Sequence, residues 1–183
     1  MPTHDIVVAG FGGQGVLFLG EVLARAAMRE GREVTWLPAY GPEQRGGTAN
    51  CTVVISDEPI GSPVVADPSV LIALNRPSLD RFEPHVKPGG LIVYDATMIT
   101  RGLSRTDLTA TAVPATEIAI ALGSPRAANV VLLGALLARQ PLVSGDAVRA
   151  VLEEMVRDPE VRARNAAALD RGAQAITAVP ATA

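Results

Sequence analysis

The stretch that decides the fold is Gly10-Phe11-Gly12-Gly13-Gln14-Gly15, with Asp5-Ile6-Val7-Val8-Ala9 before it and Val16 directly after. The residues ahead of the glycines form a short apolar run of the kind a buried strand needs. Beyond them, Val16, Leu19, Leu23, Ala26 and Ala27 recur at helical spacing across residues 16–30, and Gly31 stands where a glycine cap ends a helix. Residues 33–37 (EVTWL) read as a second strand. Strand, glycine loop, helix and strand in that order make a βαβ unit, for which a right-handed crossover is expected.

Working outward, the pattern changes after Pro38. Tyr40-Gly41-Pro42-Glu43-Gln44-Arg45-Gly46-Gly47 is polar and punctuated by glycine, so it reads as a loop with room for one helical turn. Strands are expected at 50–56, where apolar and polar residues alternate, at 70–74 and 91–94, which are wholly apolar, and more weakly at 109–113. A short helix opens at 77–82, and Lys87-Pro88-Gly89-Gly90 makes a tight turn. The C-terminal third is helical. Helices are expected at 116–122, ending at Gly123, at 128–138, after Ser144 through Met155, and at 160–175. The second of these is apolar nearly all round and is expected to be buried. The reading is α/β: one Rossmann-like, three-layer domain over residues 1–183, with a mostly parallel central sheet, a helical C-terminal third and a loose tail at 178–183.

Composition fits this and narrows the partners. The chain has 183 residues, 48% hydrophobic but only 3% aromatic, so its core is built from Ala, Val, Leu and Ile. A net charge of -3 gives no footing for nucleic acid or a membrane surface. No charged stretch precedes an apolar run at the start, and the longest apolar run, 127–138, is short of the roughly 18 residues of a membrane span. A cytoplasmic location is expected. Cys51 is the single cysteine, so the chain can form no internal disulfide and cannot by itself hold an iron–sulfur cluster, which takes about four ligands.

The spacing Gly10-x-Gly12-x-x-Gly15 fits a dinucleotide fingerprint. Glycines turn the backbone sharply and let a ligand approach, and the helix start offers free N–H groups to an anion. That fingerprint also expects an acid about 20 positions on, at the end of the second strand, to hold the ribose. Here the residues are Thr35-Trp36-Leu37-Pro38, with neither an acid nor an arginine for a 2′-phosphate. Three readings stay open: an NAD or FAD site, a glycine turn that only packs helix on strand, and a site for another anionic or carbonyl-bearing group. In the second motif, Arg45 can grip phosphate or carboxylate bidentately between open glycines, or it can be a solvated arginine beside a turn. His4 and His85 lie outside both motifs and read as surface residues. Cys51, in a strand, reads as a small core residue. No nucleophile elbow, Ser/His/Asp arrangement or metal-spaced Cys/His cluster is visible, so catalytic residues and metal ligands are not expected.

At this point a resemblance enters. The segment Gly10 to Val16, the segment 40–47 and the Lys87-Pro88-Gly89-Gly90 turn together resemble the gamma subunit or gamma domain of the 2-oxoacid:ferredoxin oxidoreductases. Gly123-Ser124-Pro125-Arg126-Ala127-Ala128-Asn129, the apolar helix with Gly134, and late Asn165 and Gly172 carry the resemblance across essentially the whole chain. It implies one component of an oxidoreductase that oxidatively decarboxylates a 2-oxoacid to an acyl-CoA and reduces ferredoxin; the look is nearest to the 2-oxoglutarate type. Pyruvate, branched-chain and indolepyruvate enzymes belong to the same family. It further implies alpha-type and beta-type partner subunits holding thiamine diphosphate and Mg²⁺, iron–sulfur clusters in other chains, and a ferredoxin-like subunit or free ferredoxin. Coenzyme A is the co-substrate, and no cofactor is held firmly by this chain alone. The isolated chain is expected to be inactive and able to self-associate. On this footing Gly12, Gly13, Gln14 and Gly15, with Tyr40, Glu43, Arg45, Gly46 and Gly47, are the expected coenzyme A-facing residues. Two alternatives remain: a stand-alone NAD(P)- or FAD-binding oxidoreductase, and a purely structural subunit of the same complex.

Overall fold

The computed structural model describes residues 3–40 and 47–177. Within them the chain forms a six-stranded sheet of order β2-β3-β1-β4-β5-β6. The strands are β1 (His4–Phe11), β2 (Glu33–Tyr40), β3 (Thr48–Ser56), β4 (Val70–Ala73), β5 (Leu91–Asp95) and β6 (Thr109–Val113). The helices are α1 (Val16–Arg29), α2 (Arg76–Phe82), α3 (Ala115–Ala121), α4 (Ala128–Arg139), α5 (Gly145–Met155) and α6 (Pro159–Thr177). The expected fold class, α/β with a mostly parallel sheet and a helical C-terminal third, is the one observed. The loop reading of 41–46 and the tail at 178–183 fall outside the described residues.

One expectation is corrected. β2 runs in the same sense as β1 but does not pair with it; β3 lies between them, antiparallel to both. The remaining pairs, β1 with β4, β4 with β5 and β5 with β6, are parallel. The reason is local. After β2 the chain reverses directly into β3, and a strand reached by a short reversal can only lie antiparallel to its predecessor. β2 becomes an edge strand, so it tolerates Pro38, which has no N–H to offer and faces Cys51 in the register.

The two faces of the sheet are covered unequally. Ile6, Val8, Cys51, Val53, Ile55, Val70, Ile72, Leu91, Val93 and Val113 meet α1, α3, α4, α5 and α6 in one large core. The alternate residues Val7, Ala9, Leu71, Ala73, Ile92 and Tyr94 meet Leu79 and Phe82 of α2 and loop residues such as Val65, Val86, Ile99 and Leu103. The period-2 alternation of the strands thus splits the apolar runs into a thick and a thin layer. α4 is buried over nearly its whole circumference, from Ala128 to Leu136, between the sheet and α6. α1 ends in a Schellman cap: Gly31, at φ 75°, donates to Met28 O and Arg32 donates to Ala27 O.

Candidate functional site

In open α/β sheets, ligands collect at the carboxyl ends of the strands where the strand order reverses. Here that point lies between β1 and β4, and three segments meet there: the glycine loop after β1, Leu74-Asn75 after β4, and the start of α1. Gly15 is the N-cap of α1, in the left-handed region at φ 75°, and no side chain caps the helix. No acidic residue occupies its first turn. Gly13 is also left-handed, at φ 95°. Gly12 and Gly13 are exposed. The loop therefore offers an open backbone edge and an uncapped helix start, the partial positive end of the helix dipole.

The expected site residues fall into three groups. Gly12 and Gly47 are brought together: Gly12 N–H donates to Gly47 O at 3.0 Å, so the second motif ends against the first. Gln14 is turned to the scaffold. Its Oε1 accepts from Phe11 N–H at 2.7 Å and from Asn75 Nδ2 at 2.9 Å, and its Nε2 donates to Leu74 O at 3.4 Å. The carboxamide thus welds the loop to the end of β4. Tyr40 ends the β2 strand. The Tyr40 side chain and all of Glu43, Arg45 and Gly46 lie outside the described residues.

Two buried asparagines were missed from the sequence. Asn75, 2% exposed, spends its Nδ2 on Gln14 and its Oδ1 on Ser78 N–H, which caps α2. Asn129, 4% exposed, donates from Nδ2 to Gly15 O at 3.1 Å and anchors the loop to α4. Asn75 carried its signal in kind, since an Asn just before a helix is a capping residue; Asn129 lies within α4, and the contacts with Gln14 and Gly15 join residues far apart in the chain. Asp95, an acid at the carboxyl end of β5, is taken up by scaffold: its carboxylate accepts from Thr97 N–H at 3.0 Å and from the Thr116 hydroxyl at 2.5 Å.

Cys51 is fully buried among β3, Gly20 and Trp36, and burial pushes its thiol up to about 11. Its Sγ donates to Val16 O at 3.6 Å. The native chain is expected to resist thiol reagents at pH 8 and to release one reactive thiol only on unfolding; rapid modification of native protein would contradict the burial. His85 is exposed, as expected. His4 is half-buried, with Nδ1 3.3 Å from Gln140 Nε2, and its pKa is lowered by burial and then by Arg32. Among the described residues no group of three His, Cys, Asp or Glu side chains is arranged to hold a metal ion, and no helix is long and apolar enough to cross a membrane.

Comparison with known proteins places this geometry. The family model for pyruvate ferredoxin/flavodoxin oxidoreductase matches residues 5–175. The chain is 56% identical over 137 residues to the ketoisovalerate oxidoreductase subunit VorA of Methanothermobacter thermautotrophicus, covering 75% of this chain but 28% of that protein. It spans little more than a quarter of that relative. Among solved structures, the gamma subunit of a keto/oxoacid ferredoxin oxidoreductase from Geobacter sulfurreducens superposes with a TM-score of 0.82 at 30% identity, over 96% of this chain and 99% of that one. The 2-oxoglutarate:ferredoxin oxidoreductase from Magnetococcus marinus, solved with 2-oxoglutarate, coenzyme A and succinyl-CoA bound, superposes with a TM-score of 0.90 at 28% identity, over 100% of this chain and 32% of that one.

Proposed function

The chain belongs to the pyruvate ferredoxin/flavodoxin oxidoreductase family, and from that premise we propose that it is the gamma component of a complex that oxidatively decarboxylates a 2-oxoacid to an acyl-CoA and reduces ferredoxin. Its contribution is coenzyme A binding and subunit assembly. The thiamine diphosphate, Mg²⁺ and iron–sulfur chemistry belongs to alpha-type, beta-type and ferredoxin-like partners. The substrate class is a 2-oxoacid, with 2-oxoglutarate and the branched-chain acids both represented among the proteins it resembles.

The observation that carries this reading is the Gly12 N–H to Gly47 O bond. It sets the glycine loop and Gly47, the end of the segment bearing Arg45, on one rim, beside an uncapped helix start. Coenzyme A is polyanionic, and a helix N-terminus with a nearby arginine is the chemistry that recognises phosphate. Gln14 enters this proposal as a positioning residue that holds the loop, while Gly12, Gly13 and Gly15 supply backbone. The absence of an acid at the end of β2 removes the ribose contact that an NAD site needs.

Two substitutions separate binding from folding. A Cβ at Gly12 meets only Gly47 O, at 3.8 Å, an ordinary contact, so Gly12→Val leaves the fold standing while crowding the ligand's approach. Arg45→Ala removes a charge-assisted contact. In the complex assembled with its alpha-type and beta-type partners, each is expected to raise the apparent KM for coenzyme A by roughly tenfold or more in a 2-oxoacid-dependent viologen reduction assay, with the melting temperature of the chain nearly unchanged. An unchanged coenzyme A dependence in both variants would leave the chain a purely structural subunit.

A further inference from the structure

On the thinly covered side of the sheet, α2 packs on β1 and β4, and the strands beyond them lie open. Laterally paired residues of neighbouring strands share a face. Val7 and Ala9 of β1 belong to the thin side. Val7 pairs with Thr52 and Ala9 with Asn50, and these pair in turn with Leu37 and Ala39 of β2. Leu37, Ala39, Asn50 and Thr52 therefore point the same way as Val7, outside the strands that α2 covers. Leu37 is 43% exposed, and Val64, on the loop after β3, is 71% exposed. The edge of β2 is guarded by Pro38, which has no N–H to offer an added strand. The face, not the edge, is what a partner can use.

A cleft of about 390 Å³ opens where this face meets the end of α2. Val7, Asn50 and Thr52 of the sheet line it, as do Arg81, Phe82 and His85; among the described residues no Asp or Glu does. Arg81 is exposed and lies 5.3 Å from the centre of the Phe82 ring, a stacking that steadies the guanidinium at the cleft. Among the described residues it makes no ion pair and no hydrogen bond. The acids nearest in sequence are committed elsewhere: Asp80 to Arg76 at 2.7 Å, and Glu83 to the backbone N–H groups of Ser104 and Arg105. The half-buried Asn50 carboxamide is likewise without a partner among the described residues.

Exposed apolar side chains around a polar anchor mark protein contacts, and a free guanidinium with amide donors beside it is answered by a carboxylate. A second copy set here by a two-fold axis would bring the same positive, acid-free cleft against itself, so the charge does not favour self-pairing. The chain corresponds to 28% of the ketoisovalerate relative and 32% of the Magnetococcus marinus chain; in those proteins a domain of this kind sits among others and has faces that lie against them.

We propose that this face docks a partner subunit of the complex through a segment that carries an acidic side chain between apolar ones. Arg81 takes the carboxylate, with Asn50 and His85 beside it, and the apolar residues lie on Leu37, Val64 and Phe82. The proposal rests on the reading that the chain works inside an assembled oxidoreductase. The test is the affinity of the full chain for its co-purified alpha-type and beta-type partners, read by biolayer interferometry. Arg81→Glu and Leu37→Glu change exposed side chains and leave the melting temperature nearly unchanged, yet each is expected to weaken the affinity by roughly tenfold or more. Raised salt slows association of the unaltered chain more than that of Arg81→Glu. The occupant is located by Val64→benzoylphenylalanine, whose photocrosslink in the assembled complex is expected on an acidic, apolar-flanked segment of a partner subunit. A crosslink within the same chain or to a second copy overturns the proposal. Partner affinity that survives both substitutions overturns the docking face alone and leaves the assembly reading standing. An unaltered chain that binds neither partner overturns both.

Discussion

Gly172→Ala lowers the melting temperature of this chain by roughly 4–8 °C. Gly172 lies in α6 where it crosses α4, and a Cβ built there falls inside contact distance of Val131 O and 3.0 Å from Ala135 N. Gly134, on α4, faces back in the same way: its Cβ would run into the carbonyl of Leu169. The two glycines let the helices touch backbone to backbone, and no rotamer change relieves a clash with a carbonyl. Helix propensity alone makes glycine to alanine stabilising by about 1 kcal/mol. Overpacking opposes it by typically about 1–3 kcal/mol, and the upper end applies where the obstacle is main chain. A net loss of about 2 kcal/mol corresponds to the stated shift for a domain of this size. The sign decides. A rise in melting temperature on thermal denaturation would mean that the helices part easily and that the crossing is loose. Gly134→Ala has the same sign, and the double variant loses less than the sum, because both report one crossing.

Gly15→Ala is the second large effect, and it acts on the site as well as on stability. Gly15 has φ 75°, a conformation that costs a residue with a Cβ about 1–2 kcal/mol. The added Cβ also meets Asn129 Nδ2 inside contact distance and displaces the bond that this group makes to Gly15 O. Leaving a donor of the buried Asn129 unsatisfied costs on the order of 1–3 kcal/mol. A loss of about 3 kcal/mol is expected, seen as a lower denaturant midpoint. In an Asn129→Ala background the steric part of the penalty disappears and the conformational part stays, so Gly15→Ala costs less there than in the unaltered chain. Equal cost in both backgrounds would disconnect Gly15 from Asn129. The contrast with Gly12, where a Cβ makes only an ordinary contact, divides the loop into a half that folds the domain and a half that faces out of it.

Much of this was legible in the sequence because it is local. The apolar run before Gly10, the helical spacing from Val16 and the cap at Gly31 each follow from a dozen residues, and β1, α1 and the Schellman cap stand where those residues place them. The helical C-terminal third and the all-round burial of α4 followed from periodicity in the same way. What failed was non-local. Nothing within residues 48–56 says that β3 inserts between β1 and β2; that depends on which strand edge is free when the chain turns back. Gln14 read as a ligand contact because it sits among glycines, yet Asn75, 61 residues away, takes its side chain. Gly134 and Gly172 read as family features, and only the crossing of α4 and α6 supplies their physical reason.

The central claim is that the glycine loop serves coenzyme A in the assembled complex. Hydrogen–deuterium exchange of residues 10–18 in that complex, with and without coenzyme A, tests it most directly. The first backbone N–H groups of the uncapped α1 start have no side-chain cap to slow them, so a bound anion becomes their first acceptor. Exchange at Gly13 and the first turn of α1 is expected to slow when coenzyme A is added, and less so in the Arg45→Ala complex. Unchanged exchange at saturating coenzyme A would contradict the claim and leave the loop a packing element.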